Sequence, residues 1–487
     1  MVVRLVSIAL NVPQEIVEAL EARTFSLHIK GSAGTGKTTL ALELMRLFPE
    51  EAEAIYLSTR VSPERLYEQF PWVESCIHQE NILDAKNTWS PRTKEETMFE
   101  YVDKPTFLRS LYSRAVEAEG KHLTIVVDSL EALKSNLKIP RDDTSVERDV
   151  LEIADRLNAN VIFVSESPHE SQLDYLVDGV VKLERVLFKE RLIRKIYIEK
   201  VRGAKIENPV YLFTLKDGRF TCFKTGFSLN LVHKDFRIVE RETGGKIPTQ
   251  ISELDKILGG GFEKGSFNII EIGKDVGMAH AYILSPLFLN FILQDIPVLS
   301  IPSKSLFSYD IIDRKSSSPL NEILISSLSS GALEKLKKCF HVFLPSPRNI
   351  STEIETYSTY SLNGKDCEED LAQFIKIAKR VLNENQLNTV VVSIATDTFE
   401  YVYGQKNFLK MLQNWFDQIK QLNGVMVLLL FEHASSKVPT NLATSHLRFE
   451  NISGNILFYG EIPKTKMYVT ALDVFKQNFQ LRLTPIE

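Results

Sequence analysis

The sequence predicts an α/β protein of two tandem domains, each a largely parallel twisted sheet flanked by helices. Three observations carry this. Short apolar runs alternate with amphipathic stretches through the first half, the alternation restarts after a polar break, and each half places a glycine-bearing loop after its first strong strand. Alternation at this spacing implies βαβ crossovers, and hence parallel strands covered by helices on both faces. With 487 residues, 44% hydrophobic and 25% charged, the chain is long enough for two domains that each bury a core.

Taken in order, MVVRLVSIALNVPQEI reads as a first strand and then a helix capped near Asn11, with Pro13 in its first turn. It lacks the small-residue cleavage signature of a secretory leader. Strands follow at SLHIKG (26–31), AIYLST (54–59), HLTIVVD (122–128) and ANVIFVSES (159–167), with the amphipathic VERDVLEIADRLN (146–158) between the last two. GVVKLER (179–185), RKIYIEKVRG (194–203) and PVYLFTLKDGRFTCF (209–223) read as hairpins at the sheet edge, turning at Lys216-Asp217-Gly218-Arg219. The polar stretch 233–250, with its Gly-Gly pair and proline, marks the boundary. The expected division is a first domain over 1–235, a linker over 236–248 and a second domain over 249–487. The pattern resumes at FNIIEIG (267–273), IPVLSIP (296–302), NTVVVSI (388–394) and GVMVLLLFEH (424–433), the order expected of a duplicated domain. Residues 303–387 are Ser-rich and carry no clear periodicity.

The net charge of −5 and pI of about 6.1 argue against bulk electrostatic binding to nucleic acid, although a local basic patch is compatible with them. Cys76, Cys222, Cys339 and Cys367 never form a C-x-x-C pair and read as reduced structural thiols. No segment approaches the ~20 apolar residues of a membrane span, so no membrane partner and a cytoplasmic location are expected.

GSAGTGKTT supplies Gly31, Ser32, Ala33, Gly34, Thr35, Gly36, Lys37, Thr38 and Thr39 in the pattern G-x-x-x-x-G-K-[ST], after an apolar strand and before the helix ALELMRLF. Glycines let the backbone curl so that successive N–H groups face a polyphosphate, and the helix N-terminus adds its positive dipole end. Lys37 is placed to reach the outer phosphates of ATP, and the Thr38 hydroxyl to ligate Mg²⁺. LTIVVDSLEAL offers the second metal-side group, Asp128, at a strand's C-terminal end, where α/β ligand sites collect. Ser129 is a further candidate for the γ-phosphate or the attacking water.

These residues resemble the RecA-like ATPases, and more narrowly the KaiC-type branch. DYLVDGVVKLER…RKIYIEKVRGAKIENPVYLFTLKDGRF (174–220) is similar to that branch's "DGV-x-L" strand followed by a "K-x-R-G" strand. GGKIPTQISELDKILGGGFEKGSFNIIEIG (244–273) resembles the lead-in that delivers such chains into their phosphate loop. YLSTRVSPERLYEQFPW (56–72), with one live and one decayed loop, looks most like archaeal GvpD-type regulators of gas-vesicle genes. The resemblance implies two tandem RecA-like domains. KaiC-type ATPases usually carry a Glu-Glu pair after the second strand, one member activating water. Here Ser58-Thr59-Arg60-Val61-Ser62-Pro63 stands in that place. A guanidinium stays protonated and is no general base, so Arg60 is expected to sense the γ-phosphate instead. Glu64 reads first as a first-turn dipole partner behind Ser62 and Pro63. Glu166 is the other candidate base. Slow or partner-dependent hydrolysis follows. Lys200 and Arg202 match the family's K-x-R pair, which reaches a neighbouring subunit's phosphate in ring-forming relatives. Their shared strand face suits either that role or a solvated edge.

The second half keeps the loop's frame without its chemistry. Aligning strand ends puts Gly273 at Gly31, Ala279 at Lys37 and His280 at Thr38, while Lys274 leaves the loop from the wrong point. Ser393 or Ile394 stands opposite Asp128, with Asp397 further into the turn. A pseudo-ATPase domain is expected, with His280 as a packing or surface residue. From 182 to 205 run nine basic residues interleaved with Glu184, Glu190 and Glu199. They form either a solvated hairpin face or a docking surface for an acidic protein or DNA. GvpD-like regulators act on an activator protein, so the resemblance favours a protein partner. The expectation is an ATP-binding regulator whose nucleotide state controls that partner in transcription or signalling. A homo-oligomer is compatible with this. The alternatives are a DNA-dependent recombinase-type ATPase and a KaiC-like autokinase.

Overall fold

The computed structural model describes residues 11–47, 52–59, 61–75, 77–84, 106–118, 120–232, 245–304, 328–345, 357–404, 408–432, 438–475 and 478–487. Two units divide the chain: Met1–Thr225 with Ile486–Glu487, and Gly226–Pro485.

In the first unit the strands are β1 (Ser26–Gly31), β2 (Ala52–Ser58), β3 (Ile82–Asp84), β4 (His122–Asp128), β5 (Asn160–Ser165), β6 (Gly179–Phe188), β7 (Arg191–Val201), β8 (Val210–Thr214) and β9 (Thr221–Cys222). They form one sheet in the order β3–β2–β4–β5–β1–β6–β7–β8–β9. Pairing is parallel from β3 to β6 and antiparallel beyond. The helices are α1 (Gln14–Glu21), α2 (Lys37–Met45), α3 (Pro63–Gln69), α4 (Thr106–Glu117), α5 (Leu130–Leu137), α6 (Ser145–Leu157) and α7 (Gln172–Leu176). The first helix begins one residue later than a first-turn proline would give, with Pro13 as its N-cap. The strand expected at the chain's start lies outside the described residues.

Alternation along the strands sorts the helices between two faces. Leu27, Ile29, Tyr56 and Val126 pack with Leu40 and Leu44 of α2 and with Ile16 and Leu20 of α1. Ile55, Leu57, Ile125, Val127 and Phe163 pack on the opposite face with Leu108, Leu133 and Val150 of α4, α5 and α6. The expected edge hairpins are present. β6 and β7 pair from Phe188↔Arg191 onward, and Lys189 and Glu190 between them both adopt positive φ, 47° and 62°. That is the geometry of a two-residue turn matching strand twist.

The second unit repeats the path. Its strands are β10 (Ser228–Leu231), β11 (Lys246–Ile247), β12 (Phe262–Glu263), β13 (Phe267–Ile272), β14 (Val298–Ile301), β15 (Phe340–Pro345), β16 (Ser358–Leu362), β17 (Val391–Ala395), β18 (Val425–Phe431), β19 (Ser445–Ile452), β20 (Asn455–Ile462), β21 (Tyr468–Val474) and β22 (Phe479–Pro485). The order β15–β14–β17–β18–β13–β19–β20–β21 repeats β3–β2–β4–β5–β1–β6–β7–β8, with β16, β10 and β22 added at the margins. The expected architecture of tandem, largely parallel α/β sheets is thus the one observed. Within 303–387, the described residues supply β15, β16 and helices over Ser330–Cys339 and Cys367–Glu384.

The division of the chain differs from the expected one in two details. Residues 228–231, expected at the end of the first domain, pair with Ala471–Val474 of β21 and so belong to the second unit. Of the expected linker, 236–244 lies outside the described residues, while Lys246 and Ile247 form a strand against Phe262 and Glu263. Cys222, Cys339 and Cys367 form no disulfide; Cys76 lies outside the described residues. No helix among the described residues is long and apolar enough to cross a membrane.

Candidate functional site

The phosphate-loop residues lie between the end of β1 and the start of α2, because only glycine tolerates the path taken there. A Cβ on Gly31 would stand 2.5 Å from the Leu183 carbonyl oxygen of the neighbouring strand. Gly36, at φ 100°, is the N-cap of α2, and a Cβ on it would meet Leu215 at 2.9 Å. Lys37 opens the helix and is buried, its Nζ donating to the Ser32 carbonyl at 2.8 Å. Thr35 Oγ1 donates to that same carbonyl at 2.9 Å. The lysine therefore folds back over the loop.

Asp128, at the end of β4, accepts from Thr38 Oγ1 at 2.7 Å on Oδ2. The two groups expected to hold magnesium are therefore in contact, although 90 positions apart in sequence. Two neighbours escaped sequence reasoning. Tyr56 of β2 donates its hydroxyl to the same Oδ2 at 2.8 Å. Thr59 donates to the Asp128 carbonyl at 2.9 Å and accepts from Ser129 N at 2.8 Å. Thr59 follows β2 directly, and its hydroxyl locks β2 to β4. Ser129 Oγ is buried with no hydrogen-bond partner. A buried lysine, a threonine and an aspartate at the C-terminal ends of parallel strands, with the orphaned Ser129 hydroxyl next in sequence, fit a Mg-nucleotide.

The loop is braced from outside by Arg194 of β7, a buried residue whose Nη1 donates to the Gly34 carbonyl at 3.1 Å. Burial, and after it the Arg185 charge, lower its pKa. Beneath the loop, on the face opposite α2, lies a buried polar cluster that the apolar look of SLHIKG conceals. Lys30 Nζ lies 2.9 Å from Asp174 and 2.7 Å from Glu199. His28 lies 2.6 Å from Asp174 through Nδ1 and 2.6 Å from Ser165 Oγ through Nε2. Burial works against the Asp174 charge, yet hydrogen bonds from His28 and Lys30 hold its carboxyl far below the usual carboxylate range.

Lys200 and Arg202 engage the end of α7. Lys200 Nζ donates to the Asp174 and Val177 carbonyls at 2.8 and 2.5 Å. Arg202 Nη1 donates to Asp178 Oδ1 at 3.2 Å and Nη2 to the Tyr175 carbonyl at 3.4 Å. Within one chain the K-x-R pair thus ties β7 to the C-terminal end of α7. Arg60 lies outside the described residues. Glu64 is exposed in the first turn of α3, its pKa lowered by its own backbone N–H and then by the Ser62 hydroxyl. Glu166 donates its backbone N–H to Glu131 Oε1 at 2.8 Å. The basic run does not form a single face, since Arg191 and Arg194 are buried, Lys182 pairs with Glu184 and Lys205 stands in solvent.

In the second unit α8 (Ser252–Leu258) precedes β13, and α9 (Ala279–Leu293) starts at Ala279, the residue aligned with Lys37. A short turn over Lys274–Val276 replaces the glycine-rich curl. Lys274 is exposed and gives its backbone N–H to Glu432. His280 is buried, with Nδ1 2.6 Å from the Gly277 carbonyl and its ring edge-on to Phe431. It packs, as expected, and no metal-binding cluster occurs among the described residues. The end of β17 offers Ile394 and Ala395 where a carboxylate would be needed, with Ile394 facing Ile301 across the pair. Asp397 accepts from Ser303 Oγ at 2.6 Å and from Lys304 N at 3.2 Å.

The chain is similar to known proteins. Residues 21–199 match the family described as GvpD gas vesicle protein, P-loop domain. The protein GvpD2 of Halobacterium salinarum is 24% identical over 465 residues, covering 92% of this chain and 90% of its own. GvpD1 of the same organism is 28% identical over 297 residues, 57% of this chain and about half, 54%, of its own length. The circadian clock oscillator protein KaiC of Acaryochloris marina is 23% identical over 260 residues, 50% of this chain and 47% of its own.

Proposed function

We propose that this chain, whose residues 21–199 match the GvpD P-loop domain family and which is similar to KaiC, is an ATP-binding regulator. Its N-terminal unit binds Mg-ATP, and the nucleotide state of that unit controls association with a protein partner in transcription or signalling. The observation that carries the reading is the Thr38–Asp128 contact beside a buried Lys37, with Ile394 and Ala279 in the corresponding places of the second unit. In this reading Gly31 to Thr39 cradle the polyphosphate, Lys37 neutralises its outer charge, and Thr38 with Asp128 holds the metal. The second unit keeps the sheet and sheds the site. Ligand shifts an equilibrium between states only by its differential affinity for them, so the partner must bind one nucleotide state more tightly than the other.

Arg60 and Val61, which stand in sequence where the carboxylate pair is expected, bring no carboxylate after β2, which supports slow or partner-dependent hydrolysis. The test has two stages. ATP titrated into the wild type with Mg²⁺ is expected to bind, and Lys37→Ala to abolish binding. Immobilised protein is then expected to retain a partner from native extract in a manner that changes between Mg-ATP and Mg-ADP. Identical captures in both states, or single-turnover hydrolysis at tens per second without any partner, would remove the regulatory reading.

A further inference from the structure

We propose that Tyr56 is a positioning residue for Asp128, so that this chain's hold on magnesium depends on an aromatic hydroxyl lent by the neighbouring strand. The inference rests on the reading that Gly31–Thr39 with Asp128 bind Mg-ATP, and it adds a group that no phosphate-loop or strand-end motif would select.

The register places it. β2 and β4 are parallel neighbours with Tyr56 opposite Val126 and Ser58 opposite Asp128. Tyr56 and Val126 share the α2 face with Leu40 and Leu44, while Ile55, Leu57, Ile125 and Val127 point to the other. The parity that sends Val126 toward α2 sends Asp128 there as well. Tyr56, one pair behind it, therefore passes its ring under the start of α2 and brings its hydroxyl to Asp128 Oδ2 at 2.8 Å. The same oxygen takes the Thr38 hydroxyl at 2.7 Å. A carboxylate with one oxygen held by two hydroxyls cannot rotate without losing both bonds, so the direction of its other oxygen is set. The proton of Thr38 is committed to Asp128, which leaves the lone pairs of that hydroxyl to face a metal.

A purely structural role is a poor account of the hydroxyl. Phenylalanine would fill the same space without burying an oxygen, and a buried hydroxyl costs stability unless it is bonded. Among the described residues, the hydroxyl's hydrogen-bond partner is the metal-side carboxylate itself.

The experiment compares wild type, Tyr56→Phe, Asp128→Asn and the double variant, measuring ATP affinity in chelator and across a magnesium titration. Tyr56→Phe is expected to leave the metal-free affinity unchanged and to raise the magnesium midpoint about tenfold, the scale of one hydrogen bond to a charged group. Asp128→Asn is expected to abolish the magnesium-dependent gain by itself, and Tyr56→Phe to change nothing further in that background. A wild-type magnesium midpoint in Tyr56→Phe overturns the proposal, as does an equal loss of affinity with and without metal. So does retention of the magnesium gain in Asp128→Asn, whatever the fate of Tyr56→Phe as a folded protein. Lys37→Ala separates the two levels. If it binds ATP like wild type, the nucleotide reading itself fails, whereas its loss beside an unaffected Tyr56→Phe sinks the positioning role alone.

Discussion

Adding one methyl group to the phosphate loop, as Gly31→Ala, should remove nucleotide binding while the same change in the second unit should not. The added Cβ would lie 2.5 Å from Leu183 O, about 0.9 Å inside the 3.4 Å at which ordinary contact begins. That oxygen is backbone, fixed by the parallel pairing of Gly31 with Leu183, so the loop must yield rather than the strand. Such overpacking costs about 1–3 kcal/mol, and a loop displaced by nearly an ångström no longer aims its N–H groups at one phosphate. Gly273→Ala places its Cβ 3.0 Å from Phe449 O and 3.3 Å from Glu450 Cγ, with backbone dihedrals that any residue adopts. It should cost less and should leave the ligand response intact. The assay is thermal unfolding of both variants with and without Mg-ATP at saturation, where ligand at ~100 times its Kd stabilises the wild type by about 2.7 kcal/mol. Gly31→Ala is expected to lose that gain and Gly273→Ala to keep it. The reverse pattern, or a full gain in Gly31→Ala, would refute the placement of the site.

Three further outcomes follow from particular contacts. His280→Ala removes a buried ring from beside Phe431 and should destabilise the chain by about 1–3 kcal/mol. It should leave the Mg-ATP response at its wild-type size in the same melting experiment. Arg194→Ala, which releases the Gly34 carbonyl, should weaken ATP binding severalfold and equally with and without magnesium, unlike Tyr56→Phe; calorimetry in chelator and in Mg²⁺ distinguishes the two. Asp174→Asn breaks a buried ion pair and should cost about 3 kcal/mol at neutral pH. The folded pKa of Asp174 is depressed, so its stabilisation is complete above the unfolded value of about 3.9 and is lost as pH falls below it. The gap between wild type and Asp174→Asn in urea unfolding should therefore narrow on acidification from pH 5 to pH 3, and a constant gap would contradict the ion pair.

What could be read from the residues was what depends on near neighbours. The phosphate loop, the strand before it and the helix after it are specified within fourteen positions, LHIKGSAGTGKTTL, so the pattern identifies the element without reference to the rest of the chain. The repeated order of apolar runs likewise foretold two sheets with one topology. Failures came where distant segments decide. Nothing in SLNL (228–231) says whether it extends the sheet before it or the one after, because an edge strand is assigned by its partner, here β21. Lys30 and His28 sit in a run that scans as a buried strand. The Lys30 charge is tolerable only because Asp174 and Glu199 arrive from far along the chain. Tyr56 was visible as an apolar residue near a strand end, but its hydroxyl gains meaning only from the β2–β4 register. Lys200 and Arg202 were found by motif, and their engagement of α7 carbonyls depends on a helix of five residues that carries little signal of its own.

The most direct measurement is the stoichiometry of ATP binding per chain, by calorimetry in the presence of Mg²⁺. A single site that vanishes in Lys37→Ala and persists in His280→Ala is the predicted result. Two sites per chain, or one that survives Lys37→Ala, would mean that the second unit holds nucleotide after all.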